Sequence, residues 1–224
     1  MTREAFLAAV DVAFNDNVTK VLKKSYDKAI DVQYGIYNKN PFAGCFTVNL
    51  KPTSGLLDWW YNILAFPKKT DHGRVMAGYQ KEIEKYRNQI ITDIISVSKQ
   101  YPKCLAEGII VSGRSKGAGE AILLVPTLSD FGTVYVCGAI EPPKVCDHKY
   151  AEYLNSLGTD ILITSYRNDI LTALPPWFEH PAQVVQLGLR THGLSFKDHR
   201  VATETSDVFD KEFDRERLSV FFDR

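Results

Sequence analysis

A serine between two glycines is the clearest candidate for chemistry in this chain. Residues 113–117 read Gly-Arg-Ser-Lys-Gly, with Ser115 at the centre. Residues 108–112 form a β-branched run typical of a buried parallel strand, and residues 118–124 have helical composition with no breaker before Pro126. A serine on a tight strand-to-helix turn is presented for nucleophilic attack, and side chains at the glycine positions would collide with the neighbouring strand or helix. The pattern predicts Ser115 as a nucleophile.

An activated serine needs a base and an acid that orients the base. Asp169 follows a strand-like run two strands after Ser115, where its carboxylate could accept a hydrogen bond from an imidazole. Asp169 follows an asparagine, however, and the two residues together are equally typical of a turn. In sheets of this kind the histidine comes after the acid, which leaves His180, His192 and His199.

The rest of the chain alternates between strand and helix patterns, which predicts an α/β fold with a mainly parallel sheet and helices on both faces. Reactive groups in such a sheet collect at the carboxyl ends of the strands, where Ser115 is expected. The predicted elements are a helix from Arg3 to about Ser25, a polar stretch, a strand at 45–50, a long helix at 78–100, the Ser115 strand and helix, strands at 133–137 and 160–164 with a helical segment around 150–157 between them, a strand near an edge at 182–187, and a closing amphipathic helix that carries Phe209, Phe213, Leu218 and Phe221.

Composition narrows the class of protein. The 224 residues fit one domain over 1–224, and the 27 basic side chains balance 27 acidic ones, so no electrostatic signature of nucleic-acid binding is present. No apolar stretch approaches the ~20 residues that span a bilayer, and no secretory signal is visible. The four cysteines lack metal-ligand spacing and are predicted to be buried free thiols, which favours an intracellular setting.

Five blocks of the chain resemble, in order, the motifs of one enzyme family. They are L-K-P-T at 50–53 with D-W at 58–59 against F-R-G-T/S and D/N-W, V-M-A-G-Y at 75–79 against V-H-x-G-F, V-S-G-R-S-K-G-A-G-E-A at 111–121 against V-T-G-H-S-L-G-G-A-L-A, C-G-A at 137–139 against F-G-A/S-P, and N-D-I-L-T-A-L-P-P at 168–176 against N-D-I-V-P-R-L-P-P. The chain thus resembles lipase class 3 proteins, the α/β-hydrolase family that includes the filamentous-fungal triacylglycerol lipases. The resemblance covers about residues 44–200.

The resemblance implies an α/β-hydrolase fold and a triad of Ser115, Asp169 and a histidine. Lys197-Asp198-His199 resembles the D-H that ends many members of the family, which favours His199 over His192 and His180 as the base. The resemblance also assigns the oxyanion hole to the backbone N–H groups of Thr53 and Lys116.

The surroundings of these residues depart from the family pattern. Arg114 replaces the family's histidine before the serine, and Lys116 replaces its leucine after it. We expect the Lys116 ammonium group to be solvated while its backbone serves the oxyanion hole.

Residues 54–67, where the family has its lid, are crowded with large apolar side chains. Trp59 matches the tryptophan of the D-W motif and is expected to pack in the core. Leu57 and Trp60 are predicted to belong to a lid or to the wall of the substrate cleft, with a core position as the alternative.

The resulting prediction is a serine hydrolase that cleaves carboxylic esters, in particular lipid or acyl esters, through an acyl-enzyme. No metal or other cofactor is implied. The implied partners are the ester substrate and a transient contact with a lipid interface, without nucleic acid. The alternative is a lipase-like binding or structural protein without catalytic activity, which the replacements at Arg114 and Lys116 favour.

Overall fold

The computed structural model describes residues 1–51, 67–189 and 193–204. In chain order the elements are α1 (Arg3–Phe14), β1 (Val18–Tyr26), β2 (Ile30–Tyr37), β3 (Phe46–Leu50), β4 (Pro67–Thr70), β5 (Gly73–Met76), α2 (Ala77–Gln100), β6 (Ile109–Arg114), α3 (Lys116–Ser129), β7 (Val134–Ile140), α4 (His148–Ser156), β8 (Asp160–Tyr166), a 3₁₀ turn (Leu171–Ala173), β9 (Val184–Leu187) and α5 (Phe196–Glu204). The predicted closing helix lies outside the described residues, and the prediction of one domain over 1–224 stays a prediction.

A seven-stranded sheet forms the centre of the molecule, in the order β1-β2-β3-β6-β7-β8-β9. The five strands from β3 to β9 are parallel, while β1 and β2 form an antiparallel hairpin at one edge. The prediction of a mainly parallel sheet is therefore confirmed, as is the edge position of the strand predicted at 182–187. The strand that ends at Arg114 lies in the interior of the sheet, so the turn after it is surrounded by neighbouring strand ends.

Helices cover both faces of this sheet, as predicted. Along β6 and β7 the side chains alternate between two separate buried clusters: Ile109 and Cys137 belong to one, and Ile110 and Val136 to the other. The first cluster includes α2, α3 and α4, and the second includes α1. The apolar stripe predicted for the long helix is buried along its length, at Tyr79, Ile83, Tyr86, Ile90, Ile94 and Val97. No helix in the described part of the chain is long and apolar enough to cross a membrane.

The N-terminal prediction of one helix from Arg3 to about Ser25 is wrong. The helix ends at Phe14, because Asn15 adopts a left-handed conformation (φ 62°) and its N–H donates to the carbonyl groups of Asp11 and Val12. The chain then enters β1, the edge strand, whose side chains are mostly exposed. A solvated, lysine-rich strand of this kind lacks the apolar alternation that indicates a strand in a sequence, and pairing with β2 determines its structure.

The helix after Ser115 also runs further than predicted. It continues through Pro126 to Ser129, although a proline inside a helix removes one backbone hydrogen bond and costs about 3 kcal/mol. Nearly every residue from Lys116 to Leu128 is buried, so packing against β6, β7 and α2 offsets this cost. All four cysteines are buried free thiols, as predicted.

Candidate active site

Ser115 lies on a sharp turn between β6 and α3, with φ 54° and ψ −123°. This conformation is unusual for a residue with a side chain and is maintained by its neighbours. The Ser115 N–H donates to the carbonyl of Ile140 on the adjacent strand at 2.9 Å. A Cβ at Gly113 would collide with the backbone of Gly117, and one at Gly117 with the backbone of Leu50. The two glycines of the motif are therefore required by close backbone approach, as the sequence predicts.

His199, on α5, lies between Ser115 and Asp169 and touches both. Its Nε2 is 2.9 Å from Ser115 Oγ, and its Nδ1 is 2.8 Å from Asp169 Oδ2. The three side chains are buried, with 9% of Ser115, 6% of His199 and 3% of Asp169 exposed. The structure thus brings together the three residues that the sequence nominates as nucleophile, base and acid.

The loop after β8 and the start of α5 are tied to one another, which sets the distance between Asp169 and His199. Asp169 and Ser195 form a parallel bridge, and the Ser195 N–H donates to the Asn168 carbonyl at 2.7 Å. In return, the Asn168 N–H donates to Asp198 Oδ2 at 3.3 Å. Two segments that are far apart in the chain are in this way aligned by backbone and backbone-to-side-chain hydrogen bonds.

The hydrogen bonds of Asp169 determine which nitrogen of His199 carries the proton. Asp169 Oδ1 accepts the Leu171 N–H at 2.7 Å, and Oδ2 faces Nδ1 of His199. An ionised carboxylate only accepts hydrogen bonds, so Nδ1 carries the proton and Nε2 has its lone pair towards the Ser115 hydroxyl. The arrangement can therefore remove the hydroxyl proton as nucleophilic attack begins.

His180, the other candidate histidine within the described residues, has a hydrogen-bond partner other than Ser115. His180 Nε2 lies 2.9 Å from the Thr172 carbonyl and therefore donates to it, and burial lowers the pKa of His180 to about 4. His192 lies outside the described residues. So do Thr53 of the predicted oxyanion hole, and Leu57 and Trp60 of the predicted lid or cleft wall. Lys116 is the first residue of α3, so its N–H is one of the helix-terminal donors that have no acceptor within the helix.

The expectation of a solvated Lys116 ammonium group is wrong. The side chain is only 4% exposed, and its Nζ forms ion pairs with Glu82 of α2 and, at 3.2 Å, with Glu120 of α3. It also donates to the carbonyl of Ala29, in the turn between β1 and β2, at 2.8 Å. Where the family has a leucine, this chain has a buried cation that joins two helices and the hairpin next to the nucleophile.

We expect Lys116→Leu to lower the free energy of unfolding by about 3–5 kcal/mol, because it leaves the carboxyl groups of Glu82 and Glu120 without their counter-charge. Urea unfolding followed by circular dichroism measures the change. Replacing Glu120 as well, in Lys116→Leu/Glu120→Leu, should recover much of the loss, since the fully buried carboxyl group is then removed while Glu82, 22% exposed, keeps access to water. Lys68→Ala, which removes an exposed ion pair with Glu84, should cost less than about 1 kcal/mol. Unchanged stability in Lys116→Leu would contradict a structural role for the cluster.

Glu141, which belongs to no motif in the sequence, is fully buried beside the triad. A carboxyl oxygen of Glu141, one of Asp169 and a ring nitrogen of His199 lie within 4.8 Å of one another. A metal ion held by these atoms would have to replace the hydrogen bond between Asp169 and His199. Both ring nitrogens of His199 already have hydrogen-bond partners, Asp169 and Ser115. The arrangement therefore fits a hydrogen-bonded chain of side chains better than a metal site.

Comparison with known proteins identifies the family. The model of the family described as lipase (class 3) matches residues 47–179, more than half of the chain, including Ser115 and Asp169. The chain belongs to the lipase class 3 family. No curated protein sequence matches it. Within the family pattern, the buried Lys116 cluster is a departure in a serine turn that retains Gly113, Ser115 and Gly117.

Solved structures of fungal lipases are similar to the chain. The propeptide complex of Rhizomucor miehei lipase is 17% identical, with 82% of this chain and 66% of that chain covered and a TM-score of 0.62. The nonglycosylated lipase of Yarrowia lipolytica is 17% identical, with 82% and 77% covered and a TM-score of 0.64. A triacylglycerol lipase whose catalytic centre is described as a serine protease triad is 16% identical, with 82% and 77% covered and a TM-score of 0.64. The chain thus covers slightly less than two thirds of the first of these structures. At this identity the likeness shows the fold, and the predicted α/β-hydrolase architecture is confirmed.

Proposed function

We propose that the protein is a serine hydrolase of carboxylic esters, with lipid or acyl esters as its substrates. The observation that carries the proposal is the buried hydrogen-bonded chain from Ser115 through His199 to Asp169, at a strained turn after a central parallel strand. The family, and the triacylglycerol lipase with a serine protease triad among the similar structures, support the ester class.

The first half-reaction forms an acyl-enzyme. His199 Nε2 accepts the proton of the Ser115 hydroxyl as Oγ attacks the ester carbonyl carbon, and Asp169 stabilises the imidazolium that results. The carbonyl oxygen becomes an oxyanion, for which we assign the Lys116 and Thr53 N–H groups as donors. When the intermediate collapses, the bond to the alkoxy oxygen breaks, and His199 gives its proton to the leaving alcohol.

The second half-reaction returns the enzyme to its starting state. His199 takes a proton from water, the hydroxide oxygen attacks the acyl carbon, and Ser115 leaves with the proton from His199. The products are a carboxylic acid and a free enzyme. Leu57 and Trp60 stay predictions for the lid or cleft wall, and contact with a lipid interface belongs to the same prediction.

Labelling with a fluorophosphonate probe tests this proposal, since the probe reacts with an activated serine. We expect the wild type to be labelled, Ser115→Ala to be unlabelled, and the control Ser96→Ala, which replaces an exposed serine on α2, to be labelled like the wild type. The reaction is run with and without detergent micelles, and circular dichroism verifies folding. Hydrolysis of p-nitrophenyl esters of increasing acyl length then measures the substrate class. A folded wild type that the probe does not label under either condition would indicate the inactive lipase-like alternative.

A further inference from the structure

Glu141 is a buried acid at the end of β7 that the proposed mechanism does not use. Its side chain has no exposed surface, and its backbone adopts φ 53°, an uncommon conformation for a residue with a side chain. It directly follows Ile140, whose carbonyl accepts the Ser115 N–H. The same short segment, residues 140–141, therefore accepts a hydrogen bond from the nucleophile and places a carboxyl group next to Asp169.

The contacts of Glu141 hold its carboxyl group in one orientation. The Tyr166 N–H donates to Oε2 at 2.9 Å, and the Thr164 hydroxyl lies 3.2 Å from Oε1. Both partners are on β8, the strand that leads to Asp169. A carboxyl oxygen of Glu141 lies within 4.8 Å of one of Asp169 and of a ring nitrogen of His199. Glu141 thus connects the end of β7 to β8, the strand that leads to Asp169.

Two buried carboxyl groups this close do not both carry a negative charge, since the repulsion is strong where water is excluded. Both carboxyl oxygens of Asp169 already have hydrogen-bond donors, the Leu171 N–H at Oδ1 and the His199 Nδ1–H at Oδ2, so Asp169 is placed to accept hydrogen bonds and not to donate one. Burial, together with the hydrogen bond to Asp169 and the charge of Asp169, raises the pKa of Glu141 well above its usual range. The pair therefore holds one proton, and Glu141 is the group that retains it.

We propose that Glu141 is a neutral carboxylic acid that donates its O–H to Asp169 and so acts as a positioning residue for the triad. The inference rests on the proposed function. The neutral acid removes a charge that would oppose Asp169 and adds a third donor to the two from Leu171 and His199. The Asp169 carboxylate is then held from three sides with Oδ2 towards His199. Asp169 and His199 each bring a titratable group to within 4.8 Å of the Glu141 carboxyl group.

Two substitutions separate this role from a merely structural one. Glu141→Gln replaces the O–H donor with an amide N–H of similar shape and should restore most of the kcat that Glu141→Leu loses. Glu141→Leu should lower kcat about ten- to a hundredfold, the effect of losing a hydrogen bond to a charged group, with KM unchanged. Equal losses of kcat in both variants, or full activity in a folded Glu141→Leu, would overturn the proposal.

A spectroscopic measurement decides the protonation state without requiring activity or the leucine variant. Infrared spectra at neutral pH should contain a carbonyl stretching band of the protonated Glu141 carboxylic acid, and this contribution should be lost in Glu141→Gln. The difference spectrum separates Glu141 from Glu120, another fully buried acid whose pKa burial raises, because only the Glu141 band changes. Absence of the band in the difference spectrum would overturn the proposal. Failure of the proposed function is detected separately, as the absence of probe labelling at Ser115.

Discussion

His199→Ala is expected to lower kcat for ester hydrolysis about a millionfold, the scale observed when a triad loses its base. His199 is in contact with both Ser115 Oγ and Asp169 Oδ2, so its removal leaves the serine hydroxyl without an acceptor for its proton. Because the residues act as one unit, the double variant Ser115→Ala/His199→Ala should be little slower than either single variant. Steady-state hydrolysis of a soluble p-nitrophenyl ester measures both effects.

Two other histidines serve as controls for this prediction. His148 is exposed, with 77% of its side chain accessible, and its ring pairs with Glu152 and Glu179 and not with a triad residue, so His148→Ala should retain wild-type turnover. His192→Ala should also retain it if His199 is the base. If His192→Ala abolishes turnover while His199→Ala retains it, the assignment of the base is wrong.

The elements around the site could be predicted where apolar spacing or a local motif indicates them. The long helix α2 is an example, since its apolar residues recur at three- and four-residue steps and are buried along its length. The serine turn is another, because the glycines around Ser115 are needed for the same steric reason in any strand-to-helix turn of this kind. By contrast, the sequence does not indicate β1, because a mostly solvated edge strand has no alternation of apolar and polar side chains.

Interactions between distant segments could not be predicted in the same way. The Lys116 cluster joins Glu82 and the Ala29 carbonyl, which lie on elements that meet only after the sheet has formed. The one local signal was Glu120, four residues after Lys116, but this spacing is also common on solvated helix faces. The position of Glu141 beside Asp169 depends on the register of β7 and β8, in which Ile140 pairs with Thr164. No spacing in the sequence specifies that register.

Asp169→Asn is expected to lower kcat about ten-thousandfold while the site keeps its shape, because the substitution reverses the proton arrangement on His199. The Leu171 N–H donates to Oδ1 at 2.7 Å, so the asparagine should turn its carbonyl oxygen towards Leu171 and its amide nitrogen towards His199. An amide N–H facing Nδ1 requires Nδ1 to accept, which moves the imidazole proton to Nε2. Nε2 would then present a proton to Ser115 Oγ and could no longer accept one.

A matched control, the melting temperature and nitrogen-15 NMR distinguish this mechanism from a general loss of structure. Asp198→Asn makes the same change in another buried acid of the same region, one that accepts the Asn168 N–H, and should cost far less activity. In Asp169→Asn the melting temperature should stay close to that of the wild type, since the asparagine oxygen still accepts from Leu171. Nitrogen-15 NMR of the His199 ring should report a proton on Nδ1 in the wild type and on Nε2 in the variant. Retention of the Nδ1 proton in a folded, inactive variant would show that Asp169 acts through its charge and not by selecting the tautomer of His199.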